Sequence, residues 1–166
     1  MFPDDIQALA AQVLDAARRR GISIATAESC TGGLVAGALT AIPRSSDVVI
    51  GGVVSYANQA KMALLGVDNG LLQRHGAVSA SVARAMATGA LKALGANLSV
   101  AITGVAGPGG GTADKPVGLV YFATALQGHG ETARRESFGD IGRDAVRLAS
   151  LKVALEMLQD RLSDGG

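Results

Sequence analysis

Apolar residues recur at helical spacing from the first turn of the chain. Ile6, Leu9, Val13, Leu14 and Ala17 share one face, which predicts an amphipathic helix over residues 4–20. Asp4 or Asp5 is placed to cap its start and Gly21 to end it. Arg18, Arg19 and Arg20 gather in its last turn, where cations suit the helix macrodipole. Residues 22–27 read as a short strand. After Glu28–Gly33 an apolar helix runs to about Ile42, and Pro43–Ser46 is a loop. Val48–Tyr56 is a strand rich in β-branched residues; Gly51 and Gly52 interrupt it and predict a bulge or a close backbone contact. Helices are predicted over 57–66 and 68–74, and another from Ser79 or Ser81 to about Leu94, ended by Gly95. A buried strand over 97–103 leads into a glycine-rich loop, Gly104–Asp114. Strands follow over 117–126 and, more polar, over 131–138. The final helix opens at Asp140 and runs to about Leu162, with Val146, Ala149, Leu151, Val153, Leu155 and Leu158 in one stripe. Residues 163–166 are expected to fray.

This alternation of strands and helices, with one hairpin near 117–138, predicts a layered α/β domain with a mixed sheet. No internal repeat or linker divides the chain, so one domain over residues 1–166 is the economical reading. Aromatic residues make up only 3% of the sequence, so the core must be built from Ala, Val, Leu and Ile. Fifteen basic residues oppose 14 acidic ones, and the isoelectric point is near 7.9. That balance argues against a nucleic-acid partner. Cys30 is the single cysteine, which excludes an internal disulfide and a cysteine-built zinc site. The opening Met-Phe-Pro-Asp-Asp lacks a basic segment leading into an apolar one, and no apolar run is long enough for a membrane span. A cytoplasmic protein without membrane contact is expected.

Four segments carry candidate chemistry. At residues 28–33 a strand ends, Ser29 follows, and Gly32 and Gly33 open a helix. Such a turn lifts a serine to the carboxyl edge of the sheet and aims free N–H groups at a ligand. Ser29 can then be a nucleophile with backbone oxyanion donors, or the turn can cradle phosphate. The plainer alternative is that Ser29 or Thr31 caps the helix. Ala27 and Thr31 stand where the Gly-x-Ser-x-Gly elbow has glycines, so this is not that motif. Cys30 reads as a small buried residue beside Ser29.

The second segment is Ser55–Lys61. Tyr56, Asn58 and Lys61 bring polar groups to a strand end that enters a helix. Lys61 can serve as a general base if a dry site or a nearby cation lowers its pKa; otherwise it is a solvated helix lysine. Ser29 and Lys61 stand about one βαβ unit apart, which places both strand ends on one sheet edge. The third segment is Thr103–Gly111. Its glycines, with Thr103, Gly104, Ala106 and Gly107 at the front, allow close backbone approach and anion-binding nests. It is neither a Walker loop nor a dinucleotide loop, because Pro116 and a strand follow. The fourth is Gly142–Arg147. Arg143 and Arg147 share a helix face and can grip a phosphate or carboxylate, or pair with Asp140 and Asp144. His75 and His129 have no partners at ligand spacing, so neither a metal site nor a catalytic histidine is assigned.

Six stretches in order resemble the CinA C-terminal-domain family, the bacterial nicotinamide-mononucleotide deamidases. They are Ala27–Gly33, Tyr56–Lys61, His75–Ser79, Thr103–Gly110, Lys115–Gly118 and Arg143–Arg147, and the resemblance runs from about residue 5 to 160. It implies a three-layer α/β/α sandwich with a mixed, mostly parallel sheet. It also implies hydrolysis of the carboxamide of nicotinamide mononucleotide to nicotinate mononucleotide and ammonia, by a serine–lysine mechanism without metal or other cofactor. Carried over, Ser29 is the nucleophile, Lys61 its base, and Tyr56 assists proton movement or orients the lysine. Cys30, Thr31, Gly32, Gly33, Asn58, Thr103, Gly104, Ala106, Gly107, Arg143 and Arg147 would bind the substrate. A homo-oligomer, dimer or larger, is also implied. Longer members of the family carry an additional N-terminal domain; it is expected to be absent here, and its activities are not carried over.

Two other functions stay open on the sequence. One is a nucleotide-binding regulatory module without turnover; the other is an amidase for a different pyridine or nucleotide amide. Ser29, Tyr56 and Lys61 together favour an enzyme, since a pure binder has no need of a base.

Overall fold

A computed structural model describes residues 1–163; Ser163, expected to fray, still belongs to the last helix, and the fraying expected of residues 164–166 lies outside the described residues. In chain order the elements are α1 (Asp4–Arg20), β1 (Ile24–Glu28), α2 (Leu34–Thr40), β2 (Val49–Val54), α3 (Asn58–Leu65), α4 (Asn69–His75), α5 (Ala80–Leu94), β3 (Leu98–Gly104), β4 (Leu119–Leu126), β5 (Gly130–Ser137) and α6 (Arg143–Ser163). A 3-10 turn over Ser45–Asp47 overlaps the end of the segment read as loop and extends one residue past it. No described helix is long and apolar enough to cross a membrane.

The five strands form one sheet in the order β2-β1-β3-β4-β5. β1 pairs in parallel with β2 and β3, while β3–β4 and β4–β5 are antiparallel. The sheet is therefore mixed, with parallel and antiparallel junctions in equal number. The carboxyl ends of β1, β2 and β3 share one edge, and the candidate chemistry gathers there.

Side chains that alternate along the strands feed two apolar cores. Leu98, Val100 and Ile102 of β3 join Val120 and Phe122 of β4 against α1, α2 and α6. Ala101, Ala123 and Ala125 join Ala25 and Ala27 against α5 and the end of α3. The second core is built largely from alanines, so α5 lies close on the sheet. A Cβ added at Gly89 of α5 would stand 2.0 Å from the Leu65 carbonyl oxygen, which brings α3 equally close to α5.

Several boundaries follow from visible punctuation. Gly21, Gly66 and Gly95 end α1, α3 and α5 in left-handed conformation. The Asp68 and Ser79 side chains accept N–H groups at the starts of α4 and α5. α1, by contrast, starts after Pro3 with no side-chain cap; Asp5 instead pairs with Lys152 at 3.2 Å. β1 begins two residues later than expected, because Ser23 is tied sideways to Asn97 through N–H and Oγ contacts of 2.8 and 2.9 Å. α6 begins at Arg143 rather than Asp140, since Gly139 and Gly142 turn the chain through φ of 82° and 99° first. The paired glycines of β2 answer both expectations. Ile24 faces Val49 while Ala25 faces Gly51, so Ile50 is a bulge; a Cβ on Gly52 would lie 2.3 Å from Thr26 Oγ1.

Candidate active site

Ser29 follows the last residue of β1. Its N–H donates to the Ile102 carbonyl of β3 at 2.9 Å, which anchors it to the sheet edge. The chain then reverses through Gly32 and Gly33, with φ of 58° and 103°, a region open chiefly to glycine. The Gly32 N–H donates to the Ser29 carbonyl at 3.0 Å and closes the turn.

Lys61 comes from the first turn and a half of α3. It is 1% exposed, and its Nζ donates to Ser29 Oγ at 3.0 Å, to the Ser55 carbonyl at 2.9 Å and to the Tyr56 carbonyl at 3.3 Å. Burial pushes its pKa below the ordinary lysine value of 10.5. No carboxylate lies within salt-bridge distance of it among the described residues. The solvated-lysine alternative is excluded. So is a capping role for Ser29 or Thr31, because no side chain of the turn caps α2. The Glu28 carboxylate does so from the strand end, accepting the N–H groups of Val35 and Ala36 at 2.9 and 3.0 Å.

A cavity of about 220 Å³ opens over the pair. Ser29, Cys30, Tyr56, Asn58, Lys61, Thr103, Gly104, Ala106 and Arg143 line it, together with Ala77 and Val78. Nine of these eleven residues were candidates on sequence. Ala77 and Val78 were not, although their stretch was among those bearing the resemblance. The Thr103 hydroxyl donates to the Ala77 carbonyl at 2.9 Å. Lys115 Nζ donates to the carbonyls of His75 and Val78. This wall is thus held by backbone carbonyls, which have no signature in a sequence. Two larger surface grooves, about 540 and 560 Å³, lie between α3 and α5 and behind the glycine-rich loop, away from Ser29.

Both arginines turn inward rather than pairing with Asp140 or Asp144. Arg143 donates to the Gly107 carbonyl at 2.7 Å and to the Tyr56 phenol oxygen at 2.9 Å. It ties the glycine-rich loop to the rim of the cavity. Arg147 donates to the carbonyls of Cys30 and Thr31 at 3.1 and 3.3 Å. It braces the serine turn from behind and is not a lining residue. Thr31, Gly32, Gly33 and Gly107 also stand outside the lining set. Thr31 is fully buried, and its hydroxyl has no partner among the described residues. Tyr56 meets Lys61 through its main-chain carbonyl, while its ring is exposed. Burial pushes the Cys30 thiol up to about 11, so it is no thiolate near neutral pH.

Fold and site together define an α/β domain with a buried serine–lysine pair at the carboxyl edge of a mixed sheet. The CinA C-terminal domain model matches residues 6–162, and the chain belongs to that family. It is 51% identical over 165 residues to a CinA-like protein of Prochlorococcus marinus, covering 99% of this chain and 38% of that protein. A CinA-like protein of Mycolicibacterium vanbaalenii is 55% identical over 146 residues, covering 88% and 34%. The chain therefore spans little more than a third of the length of these relatives. Among solved structures, a competence/damage-inducible protein from Agrobacterium tumefaciens superposes with a TM-score of 0.94 at 50% identity, covering 98% of both chains. A CinA superfamily protein from Klebsiella pneumoniae gives 0.91 at 35% identity, covering 96% of this chain and 98% of that one.

Proposed function

We propose that the domain is a serine–lysine amidohydrolase that deamidates nicotinamide mononucleotide to nicotinate mononucleotide and ammonia. The observation that carries this reading is the buried Lys61 Nζ at 3.0 Å from Ser29 Oγ. A neutral lysine has two N–H bonds and one lone pair. With the N–H bonds spent on the carbonyls of Ser55 and Tyr56, the lone pair faces Ser29 and can take its proton. Desolvation favours that neutral form, and the substrate's pyridinium makes a second nearby cation costlier still.

Ser29 Oγ then attacks the carboxamide carbon, and its proton passes to Lys61. The carbonyl oxygen becomes an oxyanion. The Cys30 N–H is a suitable donor for it, since the Ser29 N–H and the Gly32 N–H are already engaged within the fold. On collapse the C–N bond breaks, and Lys61 returns the proton to the departing ammonia. Water opens the resulting ester with Lys61 again as base, which frees the acid and restores Ser29. Arg143 and Lys61 are the basic side chains that line the cavity, and Lys61 is taken up by Ser29. We assign the 5′-phosphate to Arg143, because Arg147 is spent on the turn and the α2 donors are taken by Glu28. The chemistry draws on side chains and backbone alone. The same reading takes the two cores as the faces of a three-layer α/β/α sandwich, and it includes a homo-oligomer, which sedimentation would measure.

The test is ammonia release from nicotinamide mononucleotide without added metal. Ser29→Ala and Lys61→Ala run beside the parent, with folding followed by circular dichroism. Release by the parent that both folded variants lose supports the reading. A folded parent that releases none overturns it in favour of a binding module or another amide.

A further inference from the structure

We infer that Glu28 is the positioning residue of the serine turn: its carboxylate holds the amino end of α2 from the strand and so sets where Ser29 stands against Lys61. The inference rests on the reading of Ser29 as nucleophile. Glu28 is 1% exposed and has no cation within salt-bridge distance among the described residues. Burying a carboxylate is costly unless hydrogen bonds offset it. Here three do, from the Val35 and Ala36 N–H groups at 2.9 and 3.0 Å and the Thr26 hydroxyl at 3.3 Å.

A helix start is normally capped by its own N-cap side chain, at no burial cost. That is impossible here. The N-cap position is Gly33 with φ of 103°, whereas a capping serine or aspartate needs extended backbone. The tight reversal that presents Ser29 thus forbids a local cap, and the residue before Ser29 supplies it instead. The two carboxylate oxygens grip consecutive α2 amides and close residues 28–36 into a ring around the serine. The main chain of Glu28 completes the link. Its carbonyl accepts the Ser55 N–H at 2.8 Å, and the Ser55 carbonyl in turn takes Lys61 Nζ at 2.9 Å. Glu28 therefore touches the supports of both partners. An amide at this position would set NH2 against one of the α2 N–H groups and open the ring.

The experiment follows sulfonylation of Ser29 by phenylmethylsulfonyl fluoride, by mass spectrometry, as a function of pH. Parent, Glu28→Gln, Glu28→Asp and Leu39→Ala are compared. Leu39→Ala weakens α2 from its buried far side and leaves the turn intact. The parent is expected to show a rate plateau once Lys61 is neutral. Glu28→Gln should lose the plateau and react about tenfold or more slowly, with faster hydrogen exchange at Val35 and Ala36. Glu28→Asp keeps the charge but falls one methylene short, and should lie between; it carries the test if the Gln variant does not fold. Leu39→Ala should keep the plateau at a rate within about twofold of the parent. A labelled parent whose folded Glu28 variants keep both rate and plateau overturns the role of Glu28 alone. A parent unlabelled at Ser29 overturns the nucleophile reading, and this inference with it.

Discussion

Lys61 reaches back to the Ser55 carbonyl at 2.9 Å, so the strand end that precedes α3 holds the tip of a side chain that α3 supplies. The contact spends one N–H of a buried amine whose ordinary pKa of 10.5 is lowered by desolvation. Activity should therefore rise with pH to a plateau whose midpoint lies below 10.5. The pH profile of kcat/KM checks this, and an acid limb with its midpoint at or above that value contradicts it.

Stability follows the same group with a defined sign. Below the folded pKa, Lys61 is protonated in both states and the folded protein bears the desolvation cost. Between the folded pKa and 10.5 the unfolded chain holds more protons, so stability rises with pH. Relative to Lys61→Met, the parent should gain stability through that window, by about 1.4 kcal/mol for each unit of depression. Urea unfolding of both proteins at a series of pH values measures the difference; a constant gap would contradict the buried amine.

Arg147 braces the serine turn through two carbonyls, of Cys30 and Thr31. Removing it leaves acceptors without their donor, at a cost of about 1–3 kcal/mol. Arg147→Ala should lower kcat about tenfold or more and leave KM within about twofold. A rise in KM at unchanged kcat would show instead that Arg147 grips substrate.

Arg143 and Tyr56 meet side chain to side chain at 2.9 Å. A double-mutant cycle of Arg143→Ala and Tyr56→Phe should give a coupling of about 0.5–1.5 kcal/mol in kcat/KM. The arginine variant should also raise KM for the mononucleotide more than for the phosphate-free nucleoside. Equal losses on both substrates would remove Arg143 from phosphate binding.

Gly89 permits α3 to lie against α5, since a Cβ there would stand 2.0 Å from the Leu65 carbonyl oxygen. Gly89→Ala should cost about 1–3 kcal/mol of stability. It should also slow turnover, because the helix it pushes away carries Lys61. Full activity in a destabilised Gly89→Ala protein would show that α3 can shift without moving its lysine.

Much of this architecture was legible where punctuation is local. Gly21, Gly95 and Ser79 mark helix ends by rules that act within a few residues, and α1 and α5 lie close to the expected bounds. Ser29 and Lys61 were legible as chemistry because a strand end before paired glycines and a lysine one βαβ unit later share an edge. The rest depended on contacts that residue types do not announce. Whether Lys61 was wet or dry turned on the carbonyls of Ser55 and Tyr56. The arginines of α6 had aspartates nearby in sequence, yet α6 starts at Arg143 after two left-handed glycines, and their partners are carbonyls and a phenol far along the chain. Glu28 carries no such signal, because nothing at position 28 says that the helix beyond the turn lacks a cap.

The burial of Cys30 has a practical consequence. The single thiol of the chain is 5% exposed and raised to about 11, so maleimides and iodoacetamide should react with it slowly under ordinary labelling conditions. A cysteine introduced on the solvent side of α1 or β5 could then carry a fluorophore or spin label while the native thiol stays in place. Distances to the serine turn would become measurable in a protein that keeps its own residue at position 30.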